Sequence, residues 1–319
     1  MSGRRPVLWQ ALRVLVSAGL IAVILLRVSP ARLAGQIRAL DPAWLAGAVA
    51  VFLASSLLGS IQWHILLGAG GVPLPARRTV ALYFTGLFFN NLLPTNIGGD
   101  VFKIYDVSRS GHDPHRVFAV TLLDRLFGIT GLCLLAIIAT AALLVLGHRG
   151  PLPLYLLIFA GCVAPVAILA ASRTLSSRLR IVLGRIGLWG IGRRVELVLG
   201  HMGALRGLGS LLGRITLLTL TVQLLRIATH VAVARALGIV PGPTDLLYFY
   251  VFVPLLGLIM MLPISLNGLG VREGAGVLLF ASIGLLEEQA FLMEFITYVV
   301  MVAVSLVGGV LFLRRQLRG

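Results

Sequence analysis

The 319-residue chain is 58% hydrophobic and only 12% charged, with a mean hydropathy of +1.00, which excludes a water-soluble domain and leaves a polytopic helical membrane protein. Its net charge of +16 is almost wholly arginine, Lys103 being the single lysine. Those arginines flank apolar runs instead of building a folded basic face, so anionic lipid headgroups are the expected partner and nucleic acid is not. Cys133 and Cys162 both fall inside apolar runs and read as packing residues, not a disulfide.

Arg4 and Arg5 precede an apolar run at 7–26. No small-residue cleavage site follows, so this is read as a retained first span, not a secretory leader. Residues 27–40, RVSPARLAGQIRAL, set Leu33, Ile37 and Leu40 at helical spacing and predict an amphipathic helix in the interface. Asp41-Pro42 supplies an N-cap and a first-turn proline for a second span at 44–67. After Arg77 and Arg78, an apolar run at 80–93 stops at Pro94 in LPTNIGG. A third span at 117–146 and a fourth at 152–171 follow, then a linker with eight arginines between Arg173 and Arg214 against Glu196. A fifth span occupies 215–237. The run at 246–262 then meets Pro263 in LPISLNGLG, resumes at 271–286, and a last span at 290–313 closes on Arg314, Arg315 and Arg318.

The two breaks organise the reading. Proline removes a backbone donor and glycine loosens the chain, so helical pairing fails at Pro94, Gly98 and Gly99, and again at Pro263, Gly268 and Gly270. Broken backbone at membrane depth is tolerated only inside protein or beside water, and paired interrupted segments in two halves point to a transporter binding site. Counting positive charge on the cytoplasmic side puts both termini and the linker 172–214 inside. The segment near 80–110 is then a re-entrant hairpin from the cytoplasm and that near 246–286 a hairpin from the opposite face. The expected architecture is all-α: a bundle of about six full spans plus two oppositely oriented re-entrant hairpins, an inverted repeat of 7–171 and 215–313 within one domain. Two proline-kinked full spans are the competing reading, and Arg27, Arg32 and Arg38 would lie outside, against the charge rule.

An arginine at the bilayer centre costs about 2.5–3.5 kcal/mol, so each needs a reason. Arg226 lies midway along the fifth span, with Gln223 and His230 on its face at helical spacing. That face meets either a substrate or a carboxylate of another span. Asp124 and Arg125 in the third span point about 100° apart and need separate partners; Asp124 with Arg226, Arg125 with Glu273, and Arg125 with an anionic ligand are the alternatives. Arg272-Glu273 opens the returning helix of the second hairpin, where free backbone donors favour an anion. The first hairpin offers Asn90, Asn91, Thr95, Asn96, Asp100 and Lys103, for which turn capping is the other account. Substrate contacts are thus assigned to Arg125, Arg226, Arg272, Asn96, Gly98, Gly99, Lys103 and Gln223, with Asp124, His230 and Glu273 for proton or ion coupling. Glu294 is read as interfacial, and Gly308-Gly309 as a close-packing point. His112, Asp113 and His115 lack a further ligand cluster, so no metal, cofactor or catalytic set is expected.

LLPTNIGGDVFKIYDVSR, Asp124-Arg125 and LPISLNGLGVREG together resemble the flippase-like family typified by the transmembrane region of lysyl-phosphatidylglycerol synthases, over about residues 7–313. The resemblance implies a helical bundle with re-entrant elements that moves or handles lipid, and its motif positions fall on Pro94, Gly98, Gly99, Asp100, Asp124, Arg125, Pro263, Gly268, Gly270, Arg272 and Glu273. In full-length synthases a soluble aminoacyl-transferase domain follows; this sequence stops just after its last span, so lipid aminoacylation by this polypeptide alone is not expected. The expected function is translocation of an anionic or zwitterionic lipid, a phospholipid or polyprenyl-phosphate type, in the plasma membrane. The alternative is an accessory protein that presents a lipid-linked intermediate to a separate enzyme docked at the basic linker. An intramembrane transferase ranks last for want of an acid/base set.

Overall fold

The computed structural model describes residues 30–93, 97–171, 209–262 and 268–317. The first predicted span, Pro94, Thr95, Asn96, Pro263, the linker at 172–208 with its expected interfacial helix at 181–198, and Arg318 lie outside them. Every described element is a helix: α1 Pro30–Arg38, α2 Pro42–Ala69, α3 Ala76–Leu92, α4 Gly98–Arg109, α5 Pro114–Val145, α6 Leu152–Ala171, α7 Gly209–Ala236, α8 Pro243–Ile259, α9 Val271–Ala281 and α10 Glu287–Gln316. Starts are chemically marked: Asp41 accepts from the Ala43 amide at 2.8 Å ahead of Pro42, and Asp113 accepts from the His115 amide at 2.9 Å ahead of Pro114. The amphipathic helix α1 lays Leu33 and the following Leu40 against the main core and leaves Ile37 exposed.

Four helices, α2, α5, α7 and α10, are long and apolar enough to cross a membrane. With 28, 32, 28 and 30 residues they exceed the ~20 that a bilayer core requires. Between them lie short pairs of 17 and 12 residues (α3, α4) and of 17 and 11 residues (α8, α9). The order long, short, short, long therefore occurs twice with nearly equal lengths, in α2–α5 and α7–α10. Packing repeats too: α2 lies on its counterpart α7, and α3 on α10 as α8 lies on α5.

Each short pair folds back on itself. Arg78 at the start of α3 reaches Asp106 near the end of α4 at 3.1 Å, while Asn90 near the end of α3 accepts from the Gly99 amide at the start of α4 at 2.8 Å. Contacts at both ends make the pair antiparallel. The second pair closes likewise, with Phe249 and Phe252 of α8 against Phe280 of α9 at 4.9 and 5.4 Å, and Met260 against Arg272 at the tip.

Two close approaches set this geometry. A methyl on Gly99 would stand 2.6 Å from the Gly86 carbonyl carbon and 2.9 Å from Asn90 Cγ, so only glycine lets α4 lie against α3. At Gly308 a methyl would stand 2.7 Å from the Thr85 amide nitrogen, and at Gly309 2.9 Å from the Phe88 ring, so the glycine pair seats α10 on α3 as expected. In the second hairpin Gly268 and Gly270 take φ of 81° and 80°, the left-handed region that the turn requires.

Candidate functional site

Where the two halves meet, a cavity of about 390 Å³ is lined by both hairpins and all four long helices. Its wall is largely apolar but carries a set of charged side chains. Four cations, Lys103, Arg125, Arg226 and Arg272, face it against three carboxylates, Asp100, Asp124 and Glu294, leaving a net charge of +1 with His230 neutral.

On the first-half side, buried Asp100 accepts from Lys103 Nζ at 2.8 Å and from Arg125 Nε, binding α4 to α5. Lys103 is 6% exposed and also lies over the rings of Trp63 and Tyr83, at 4.8 and 5.4 Å from their centroids. Asp124 takes a 2.8 Å hydrogen bond from Gln62 Nε2, whose Oε1 in turn accepts from Thr219 at 2.8 Å. This corrects the sequence-based pairings. Arg125 meets Asp100, one turn into the returning helix of the first hairpin, and not Glu273; the bonded partner of Asp124 is neutral Gln62, not Arg226.

Gln223, Arg226 and His230 do share one face of α7, and all three line the cavity. Gln223 is a strut, donating to the Gly128 carbonyl at 2.8 Å. Arg226, half-buried, makes no side-chain hydrogen bond or ion pair among the described residues, a rare condition for a guanidinium in a membrane bundle.

On the second-half side Arg272 is 6% exposed, yet its partners are soft. Nε donates to Met260 Sδ at 3.1 Å, Nη1 lies 3.8 Å from Met301 Sδ, and the guanidinium sits 5.0 Å from the Tyr298 ring centroid. Thioethers are weak acceptors, so most of its donor capacity is unspent. Glu273 faces away from the cavity: its Oε2 accepts from the Gly270 amide at 2.7 Å and caps α9. Glu294, read from sequence as interfacial, is instead 1% exposed and on the cavity wall, with Oε2 3.7 Å from His230 Nε2. Its position early in an apolar run hid this, since the helix starts at Glu287 and buries its second turn.

Gly98 and Gly99 do not line the cavity; they serve helix contact, Gly98 against Leu93 and Gly99 against Gly86. Asn96 lies outside the described residues. Gln62, Asp100, Met260, Met301 and Tyr298 are site residues that carried no binding assignment in the sequence reading. Gln62, a lone amide inside a span, bore the same signal as Arg226; the methionines bore none. No group of three or more metal-ligating side chains occurs among the described residues.

Fold and site together define a polytopic helical membrane protein with a duplicated helix–hairpin–helix core around a charged internal cavity. The chain belongs to the lysylphosphatidylglycerol synthase transmembrane-region family, whose model matches residues 10–309. It is also 26% identical over 340 residues to "Glycosyltransferase AglD" of Haloferax volcanii, a match covering 93% of this chain. The chain spans about half the length of that curated relative, 54%. No solved structure matches it significantly.

Proposed function

We propose that the protein translocates an anionic or zwitterionic lipid headgroup through the central cavity, with the acyl chains left in the bilayer. The observation that carries this reading is the state of two intramembrane arginines: Arg226 without a hydrogen-bonded or ion-paired side chain among the described residues, and Arg272 held by thioethers and a ring. Keeping a guanidinium inside a membrane bundle is costly unless an anion compensates it, and a headgroup phosphate supplies that anion with bidentate geometry. Lys103 and Arg125, which share Asp100, form the opposite wall, and Gln223 ties α7 to α5 beside it.

In the membrane, α3–α4 and α8–α9 enter as re-entrant hairpins. None of their four helices reaches the length of a span, and the antiparallel contacts return each pair to its starting side. With α2, α5, α6, α7, α10 and the apolar run at 7–26 as six spans, the second half is inverted relative to the first, both termini face the cytoplasm, and the hairpins open alternately to the two sides. The site lies in the plasma membrane, multi-pass. The protein's role is transport, not catalysis.

A test is headgroup exchange in proteoliposomes containing a fluorescent phosphatidylglycerol. Wild-type protein should accelerate leaflet exchange over empty vesicles, and Arg226→Ala should remove the acceleration while leaving the melting temperature in detergent within about 2 °C, since no folded-state pair is lost. Equal exchange by wild type and empty vesicles sinks the proposal.

A second reading draws on the relative named as a glycosyltransferase: the cavity holds a polyprenyl-phosphate-linked intermediate for a separate enzyme docked at the basic linker, 172–214. Lipid retention in native mass spectrometry without leaflet exchange would favour it.

A further inference from the structure

We propose that Glu294, with His230 beside it, is the proton-binding site of this protein and that one proton travels with each monoanionic headgroup. The inference rests on the transport reading above and adds its coupling ion.

Four carboxylates stand around the two anion-ready arginines, and the contacts sort them: Asp100 is held by Lys103 and Arg125. Asp124 is occupied by the Gln62 amide. Glu273 points into the hairpin turn, where one oxygen caps Gly270 and the other is buried without a hydrogen-bond partner among the described residues, and it is set apart by not lining the cavity. Glu294 lines the cavity, is 1% exposed, and leaves its Oε1 with no hydrogen-bond donor among the described residues. A carboxylate oxygen sealed from water without a donor carries a large desolvation cost when ionised; protonation removes it. The His230 imidazole, itself a proton carrier, stands 3.7 Å from its other oxygen, and its Nδ1 lies 3.2 Å from the Arg226 carbonyl. His230 is one turn from Arg226, and Glu294 is one turn from Tyr298, whose ring carries Arg272. Proton site and anion site are thus adjacent.

The surrounding charges fix the sign. Arg226 from α7 and Arg272 from α9 bring positive charge to the cavity wall around Glu294, Glu273 from α9 brings negative charge, and Asp124 and Arg125 from α5, which packs on the helix of His230, bring one of each. Tyr298 lies on α10 itself. From α2 and α3 the ionisable groups are His64, bonded to Thr79, Tyr83 beneath Lys103, exposed Arg77, and Arg78 held by Asp106; on α1, Arg38 is exposed. In the empty cavity the two arginines are the counter-charge of Glu294. A phosphate that engages them withdraws that compensation and adds a negative charge, so Glu294 takes up a proton through His230; departure of the anion reverses both steps. Proton and anion move in the same direction, and a monoanion moves with no net charge.

The test uses full-length protein in phosphatidylcholine vesicles with a trace of acyl-labelled fluorescent phosphatidylglycerol, whose leaflet distribution is read by quenching the outer leaflet. With the lumen one pH unit alkaline, wild type should enrich the probe in the inner leaflet towards tenfold. Collapsing the membrane potential should not change this, whereas uncoupled movement of a monoanion would respond roughly fifty-fold to 100 mV. Glu294→Gln should lose the pH-driven bias in whatever exchange it shows, and His230→Gln should lose it too, which covers a Glu294 variant that does not fold. Bias that survives in a folded Glu294→Gln or His230→Gln variant overturns the proton site, as does wild-type exchange with no bias. Absence of any wild-type exchange overturns the transport reading and this inference with it.

Discussion

Asp100→Asn is the sharpest probe of how the cavity is held together. The Asp100 carboxyl is 9% exposed and neutralises Lys103, 7% exposed, and Arg125, 32% exposed. Asparagine keeps the shape but removes the charge, so two cations stand side by side on one wall without the carboxylate between them. Breaking a buried pair costs about 3–5 kcal/mol, because the surviving charge stays buried without compensation. The Arg125 share is discounted, since a third of its side chain reaches solvent. Lys103 keeps the Trp63 and Tyr83 rings, worth about 0.5–2 kcal/mol, so the low end, about 3 kcal/mol, is expected. At about 2–4 °C per kcal/mol for chains of 150–250 residues, Asp100→Asn should melt about 6–12 °C below wild type in detergent. Asp100→Asn with Lys103→Met should recover at least half of the loss, because the isolated charge goes with its partner. A melting point within 2 °C of wild type for the single variant, or strict additivity in the double variant, would refute the argument.

Other perturbations test the scaffold. Gly99→Ala forces its methyl to about 2.6 Å from the Gly86 carbonyl carbon, and overpacking against backbone should cost about 1–3 kcal/mol. Gly47→Ala in α2 meets nothing within 4 Å and should be neutral or gain up to about 1 kcal/mol from helix propensity; equal melting points for the two variants would contradict the close approach. Asp106 receives both Arg78 at 3.1 Å and Arg315 at 2.6 Å, joining the base of the first hairpin to the end of α10. Each arginine is partly exposed, so alanine at either should cost about 0.2–1 kcal/mol. The second loss should exceed the first once Asp106 is stranded, and a double variant equal to the sum of the singles would dissolve the proposed latch.

Much of this organisation was written in one dimension. Apolar run length announced the helices, and proline with glycine announced the two places where helix must stop, because these are local backbone properties. The helical period put Gln223, Arg226 and His230 on one face, and the cavity lies on that face. Gly308-Gly309 read correctly as a contact point because a missing side chain has one obvious use in a packed span.

Partner choice was not legible. Arg125 had several carboxylates to choose from, and only the fold-back of α4 along α3, permitted by Gly86 and Gly99, brings Asp100 to it. Glu294 reads as interfacial from its neighbours in sequence, and only the packing of α9 and α7 on α10 buries it and sets it beside His230. The thioethers around Arg272 had no signal at all, since methionine in an apolar run looks like any packing residue. Sequence by itself determined which segments are helical, where they break and which polar side chains lie at membrane depth, because backbone geometry and the cost of burial act locally. Which charge meets which, and therefore which arginines stay available to an anion, was decided by tertiary structure, because Coulomb pairing depends on distances that only the packed halves create.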